Sequence, residues 1–164
     1  MRATMIMNLN QLFAVGRDNY TFSNTKLYDN ETFYTAFVRD IGHAYHSVYI
    51  ESPFITTTRM DMLLPILRRA CQRGIQITVN TRPPSEHDGK YIDQAYKAVQ
   101  DMQSIGMTVL YTVKHHRKIA IIDDETLWEG SLNILSQSDS CELMRRSVSS
   151  SLVRQMKKYI KSSN

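Results

Sequence analysis

Apolar residues along the 164-residue chain switch between helical and alternating spacing, and those switches lay out the elements. Phe33, Phe37, Ile41 and Ala44-Tyr45 recur at helical spacing behind Asn30, which reads as an N-cap. Ser47-Val48-Tyr49-Ile50 is a short strand-like run that closes into Glu51-Ser52-Pro53-Phe54, where the proline stops continued pairing. Leu63, Ile66-Leu67 and Ala70-Cys71 return to a helical stripe, opposite Arg68, Arg69 and Arg73. Pro65 belongs near the first turn of that helix, and Gly74 stops it. Residues 75–79 read as a strand and 81–89, with two prolines and a glycine, as a loop. Ile92, Ala95-Tyr96, Val99 and Met102 predict the next helix, ending before Gly106, and residues 107–112 the next strand.

Val113-Lys114-His115 then runs straight into His116-Arg117-Lys118-Ile119-Ala120-Ile121-Ile122-Asp123, an isoleucine-dense strand ending in the charged turn Asp123-Asp124-Glu125. Thr126-Leu127-Trp128 is its hairpin partner, with Trp128 read as core rather than as a base-stacking platform. Val148, Leu152, Met156 and Ile160 give the final helix an apolar face, opposite Ser149, Ser150, Arg154, Lys157, Lys158 and Lys161. Residues 1–29 carry little periodicity and read as an N-terminal extension packing on the domain, with room for one or two strands; residues 30–164 form the domain itself. Strand and helix alternate through most of it, which predicts an α/β fold with a mixed, mostly parallel β-sheet sandwiched by helices on both faces.

Composition narrows the class. Hydrophobic residues make up 42% of the chain, as in a globular protein. No stretch approaches the roughly 20 apolar residues of a membrane span. Asn8, Asn10 and Gln11 interrupt the early apolar residues, so the chain reads as cytoplasmic, without stable membrane insertion. Cys71 and Cys141 lack metal-ligand spacing and read as reduced thiols. The net charge of +4 is uneven: residues 145–164 hold six Lys and Arg and no acid. Removing those six from the 20 Lys and Arg leaves 14 against 16 acids in residues 1–144. A basic end of this kind is either a solvated helix face or a surface for a polyanion, with Arg145, Arg146, Arg154, Lys157 and Lys158 as the contacts.

The chemistry concentrates at residues 115–133. Side chains two apart on a strand share a face, so His116 and Lys118 point together and Asp123 points away. A neutral imidazole can attack phosphorus while a neighbouring ammonium holds the charge gathering on the phosphoryl oxygens, and Ser131 and Asn133 can add donors. The bland alternative is a solvated basic strand end, Lys114 to Lys118. His115 beside His116 could suggest a metal site, but no carboxylate or Cys completes a shell.

His116-x-Lys118-x4-Asp123 followed by Gly130-Ser131-x-Asn133 resembles the signature of the phospholipase D superfamily, over about residues 30–164. The resemblance implies that His116 forms a covalent phosphohistidine, that Lys118 and Asn133 bind phosphoryl oxygens with Ser131 assisting, and that Glu142 fixes the tautomer of His116. Gly130 and Asp123 are structural parts of the motif, Asp123 as a salt bridge or turn cap. The signature occurs once, whereas many superfamily members carry it twice, so a homodimer is expected to supply the second His116 as the proton donor. Neither a cofactor nor a metal is then required. Single-motif members are typically small dimeric nucleases, which with the basic tail favours nucleic acid, DNA before RNA. The runs Trp128 to Leu135 and Glu142 to Arg146 also resemble family domains attached to DNA helicases, pointing to a DNA-processing partner. Two rivals stand beside a metal-independent nuclease: a phospholipase or phosphatidyltransferase, and a non-catalytic nucleic-acid-binding module.

Overall fold

Strand β1 (Thr25–Asp29) enters helix α1 (Phe33–His43) through a turn that Asp29 builds. Its carboxylate accepts the N–H groups of Glu31 at 3.1 Å and Thr32 at 2.9 Å, so the helix starts at Phe33 with Thr32, not Asn30, in the capping place. The computed structural model describes residues 24–136 and 140–163, so residues 1–23 of the expected extension lie outside the described residues. Strand β2 (Ser47–Glu51), helix α2 (Thr57–Gln72), strand β3 (Gln76–Thr81), helix α3 (Ile92–Ser104) and strand β4 (Thr108–Tyr111) follow. Then come β5 (Ile119–Ile122), β6 (Thr126–Gly130), β7 (Leu143–Val148) and helix α4 (Ser150–Ser162).

The strands form one mixed sheet in the order β1-β7-β6-β5-β2-β3-β4. Only β2–β3 and β3–β4 are parallel, and the other four pairings are antiparallel, which corrects the expected mostly parallel balance. Parallel neighbours need a long crossover, and only α2 and α3 provide one. Strand β5 instead turns straight back into β6 through Asp123 and Asp124, both in the left-handed region at φ 53° and 57°. Helices cover both faces, as expected. One face carries α1, α2 and α3 on a core that includes Phe33, Phe37, Leu63, Leu67, Met102 and Trp128. On the other, α4 sets Val153 and Ile160 against Ile119, Ile121 and Leu127.

Trp128 is fully buried, edge-on to Phe33 with ring centres 5.1 Å apart, and its indole N–H donates to Asp40 at 2.9 Å. Pro65 lies well inside α2, because that helix begins at Thr57 and not near Leu63. Gly74 takes φ +85° where α2 stops. Helix α4 starts only after Ser149, whose hydroxyl accepts the Leu152 N–H at 3.3 Å; this turns Val153 inward and leaves Leu152 exposed. Among the described residues no helix is long and apolar enough to cross a membrane.

Candidate active site

The last parallel strand ends in a turn at residues 112–115, where Lys114 takes φ 56° and donates its backbone N–H to Glu86 at 2.9 Å. His116 and Lys118 lie on the approach to β5, just ahead of its first residue, rather than within a strand that begins at His116. The alternation expected of them persists in their contacts. His115 and Arg117 reach the carboxylate of Glu51, whereas the Lys118 ammonium lies 3.2 Å from His116 Nδ1 and donates to the His116 carbonyl at 2.8 Å.

That ammonium sets the charge state of the ring. Lys118 first, then partial burial and Arg82, hold His116 below the ordinary imidazole range, which favours the neutral, nucleophilic form. Lys118 is itself lowered, by burial and by Arg82, against an opposing pull from Glu142.

His116, Lys118, Gly130 and Ser131 line one groove of about 610 Å³, walled further by Leu27, Leu143, Arg145, Met156 and Tyr159. Ser131 donates its hydroxyl to the Glu142 carboxylate and accepts the Leu143 N–H at 3.1 Å. The other oxygen of Glu142 accepts from Ser140 at 2.6 Å. The sequence sets Glu142 against the far nitrogen of His116; in the structure its carboxylate accepts the hydroxyls of Ser131 and Ser140. Asn133 does not line the groove. Its loop is pinned by buried Leu132, Ile134 and Leu135, and its side-chain oxygen is buried with no hydrogen-bond partner among the described residues.

Asp123 sits at the opposite end of β5 from His116. Its carboxylate accepts the N–H groups of Tyr45 at 3.0 Å, His46 at 2.7 Å and Ser47 at 2.9 Å, and so anchors the entry to β2. The basic residues separate by strand parity. Arg145 faces the groove, but Arg146 turns to the α1 face, where Asp40 binds it at 2.6 and 3.1 Å, taking it out of the expected polyanion surface. Lys157 is paired with Asp124, while Arg154 and Lys158 are exposed on α4.

Sequence reasoning missed Glu51, Arg82, Arg117 and His87. Glu51 is fully buried and holds Arg117, and Arg82 donates to the His115 carbonyl at 2.6 Å. A carboxylate closing an otherwise apolar strand is the one trace of it in the sequence, and it reads equally as the start of a loop. His87, read as part of an open loop, is buried edge-on to Phe54, with its Nε2 accepting the Ile55 N–H at 3.4 Å.

Burial holds both His87 and His115 below the ordinary imidazole range. The folded state then binds fewer protons than the unfolded chain, so stability is full above the unfolded pKa of about 6.5 and declines as pH falls toward the lowered folded values. Melting temperature is expected to drop between neutral pH and about pH 5, above the range where carboxylates titrate, and to drop less in His87→Gln. A melting temperature independent of pH across that interval would contradict the burial of these rings.

The protein-family description "Cardiolipin synthase, PLD-like domain" matches residues 37–163. Comparison with curated proteins gave no match. Among solved structures the fold is similar to Nuc, a phospholipase D family member from Salmonella typhimurium, with TM-score 0.68 and 14% identity over 84% of this chain and 91% of that one. It is also similar to NucT from Helicobacter pylori, with TM-score 0.65 and 18% identity over 84% and 93% of the two chains. The archaeal chromatin protein TrmBL2, described as showing a novel mode of DNA binding, gives TM-score 0.60 and 12% identity over 89% of this chain and 54% of that one. At such identities these likenesses establish the fold alone. The family match, running from within α1 almost to the C-terminus, places the chain in the phospholipase D-like domain family.

Proposed function

We propose that the domain is a phosphodiesterase acting on nucleic acid, DNA in preference to RNA, through a covalent phosphohistidine on His116 at a site completed by a second copy of the chain. The observation that carries this reading is the contact between the Lys118 ammonium and the His116 ring at 3.2 Å, in a groove that also holds Ser131.

A ring nitrogen of His116 attacks phosphorus, and the bond to the leaving oxygen breaks. Lys118 takes up the charge that gathers on the phosphoryl oxygens. The leaving oxygen needs a proton, which the protonated His116 of the second copy supplies. That imidazole, now neutral, accepts a proton from the water that hydrolyses the P–N bond. With two Lys118 ammonium groups around one phosphate, no step calls for a metal or a cofactor.

Support for the second copy comes from the surface beside His116. Leu27 and Leu143, 52% and 49% exposed, lie on a face of β1 and β7 next to the exposed imidazole, where a symmetric partner would cover them. Arg145 lines the groove, Arg154 and Lys158 are exposed on α4, and none of the three is in an ion pair among the described residues, so they are the residues proposed to contact nucleic acid. A lipid phosphodiester is the second reading, favoured by the cardiolipin synthase in the description of the matched family.

The test incubates purified protein, in excess chelator, with plasmid, single-stranded DNA, RNA and phosphatidylglycerol vesicles. Nucleic-acid cleavage by a dimeric species is the expected outcome. Turnover of the lipid alone would install the second reading, and DNA binding without cleavage of any substrate would leave a binding module.

A further inference from the structure

The backbone ladder between β2 and β5 ends at the pair Glu51 and Ile119, and on the β6 side the Gly130 N–H still reaches the Lys118 carbonyl at 3.4 Å, so His116 lies beyond the last residue that strand pairing holds in place. Regular structure therefore does not position the nucleophile, and side chains must. Glu51, with no exposed surface, stands at that point. Its carboxylate takes Nε and Nη2 of Arg117 at 2.6 and 3.1 Å, the Tyr49 hydroxyl at 2.6 Å and the Asn80 amide at 3.4 Å. His115 Nε2, buried and without a hydrogen-bond partner among the described residues, lies 3.9 Å from the same carboxylate. From the other side, Arg82 at the end of β3 grips the His115 carbonyl at 2.6 Å.

A buried ion pair is a poor device for stability, because desolvation of the two charges offsets their attraction, and well-packed apolar side chains often serve as well. It is a good device for geometry: the two N–H groups of a guanidinium fork meeting one carboxylate fix direction as well as distance. Burial alone would raise the Glu51 carboxyl, but Arg117 and Tyr49 bring it below its ordinary value and keep it charged for that task. Held at residues 115 and 117, the segment has little freedom left at 116 and 118.

We propose that Glu51 is a positioning residue, which through Arg117 and His115 sets the imidazole of His116 and the ammonium of Lys118 for reaction. This rests on His116 being the nucleophile.

The test compares wild type, Glu51→Gln, the paired variant Glu51→Leu with Arg117→Leu, and His116→Ala. Each is melted and then assayed well below its melting temperature on bis(para-nitrophenyl) phosphate and on the cleaved nucleic acid. The paired variant removes both buried charges together, so it is expected to keep a melting temperature near wild type while kcat falls on the order of a hundredfold, with KM nearly unchanged. A paired variant as stable and as fast as wild type would overturn the proposal. Should that variant fail to fold, Glu51→Gln decides: a fall in kcat at constant KM supports the positioning role, and wild-type kcat or a change in KM alone overturns it. Full activity in His116→Ala would instead remove the nucleophile and leave Glu51 nothing to position, an outcome distinct from an inactive His116→Ala beside a fully active Glu51→Gln.

Discussion

Replacing His116 with alanine is expected to lower phosphodiester cleavage by about a thousandfold or more, with the melting temperature close to wild type. The side chain is exposed at the groove mouth, so truncation opens no cavity in the core. Its neighbour Lys118 keeps a hydrogen bond to the backbone carbonyl of residue 116 whatever side chain that residue bears. What disappears, on the proposed mechanism, is the atom that attacks phosphorus. Because the reading uses the second copy's imidazole as proton donor, the loss removes two roles at once, and binding of DNA is expected to survive it. The measurement is kcat under chelation beside affinity at one fixed salt concentration, since phosphate contacts weaken steeply with salt. Chelator-resistant cleavage at the wild-type rate would take His116 out of the chemistry.

Gly130→Ala is expected to cost more than about 3 kcal/mol of stability, a large part of the 5–15 kcal/mol typical of a domain. Gly130 pairs with Met144 across β6 and β7. A Cβ at residue 130 would collide with the Leu143 carbonyl oxygen and come within 2.9 Å of Met144 Cα. The obstacle is backbone, which cannot swing aside as a flexible side chain can. Relief would require β7 to move from β6, breaking the site as well, because Ser131 receives its N–H bond from Leu143 and donates to Glu142 just ahead of that strand. Urea denaturation checks this: a lower midpoint with an unchanged slope is expected. A midpoint near wild type would mean that the two strands do not approach so closely.

Gly130 also shows what the chain made legible and what it did not. The glycine, the serine and the asparagine that follows announce a motif in sequence, but the need for glycine arises from the backbone of β7, which sequence reading did not anticipate as a strand. Leu143-Met144-Arg145-Arg146-Ser147-Val148 lacks a clean apolar alternation because an arginine takes a place on its covered face while Leu143 lies on the exposed one. Met144 fills the α1 side, and Arg146 reaches the same side through its ion pair with Asp40. Two adjacent arginines looked like one basic patch; strand parity sends them to opposite faces.

The crossover units were readable because β2 and β3 are buried on the helix-covered face and bounded by Pro53 and Gly74. The direction of the remaining strands was not, since hairpins and crossovers are told apart by what lies between strands, and residues 131–142 carry no periodic pattern. His116 and Lys118 stand out as candidates from spacing and side-chain chemistry, and the structure brings their side chains together. Glu51 could not, because a carboxylate that ends a strand looks like the start of a loop until Arg117 is seen folded back onto it.

The most direct test of the chemistry is to trap the adduct. A single turnover quenched in alkali, where a P–N bond survives, and mapped by peptide mass should show a phosphoryl-linked fragment on the peptide carrying His116, absent from His116→Ala. Substrate consumed in that same turnover with the adduct on another residue, or on none, would contradict nucleophilic catalysis by His116.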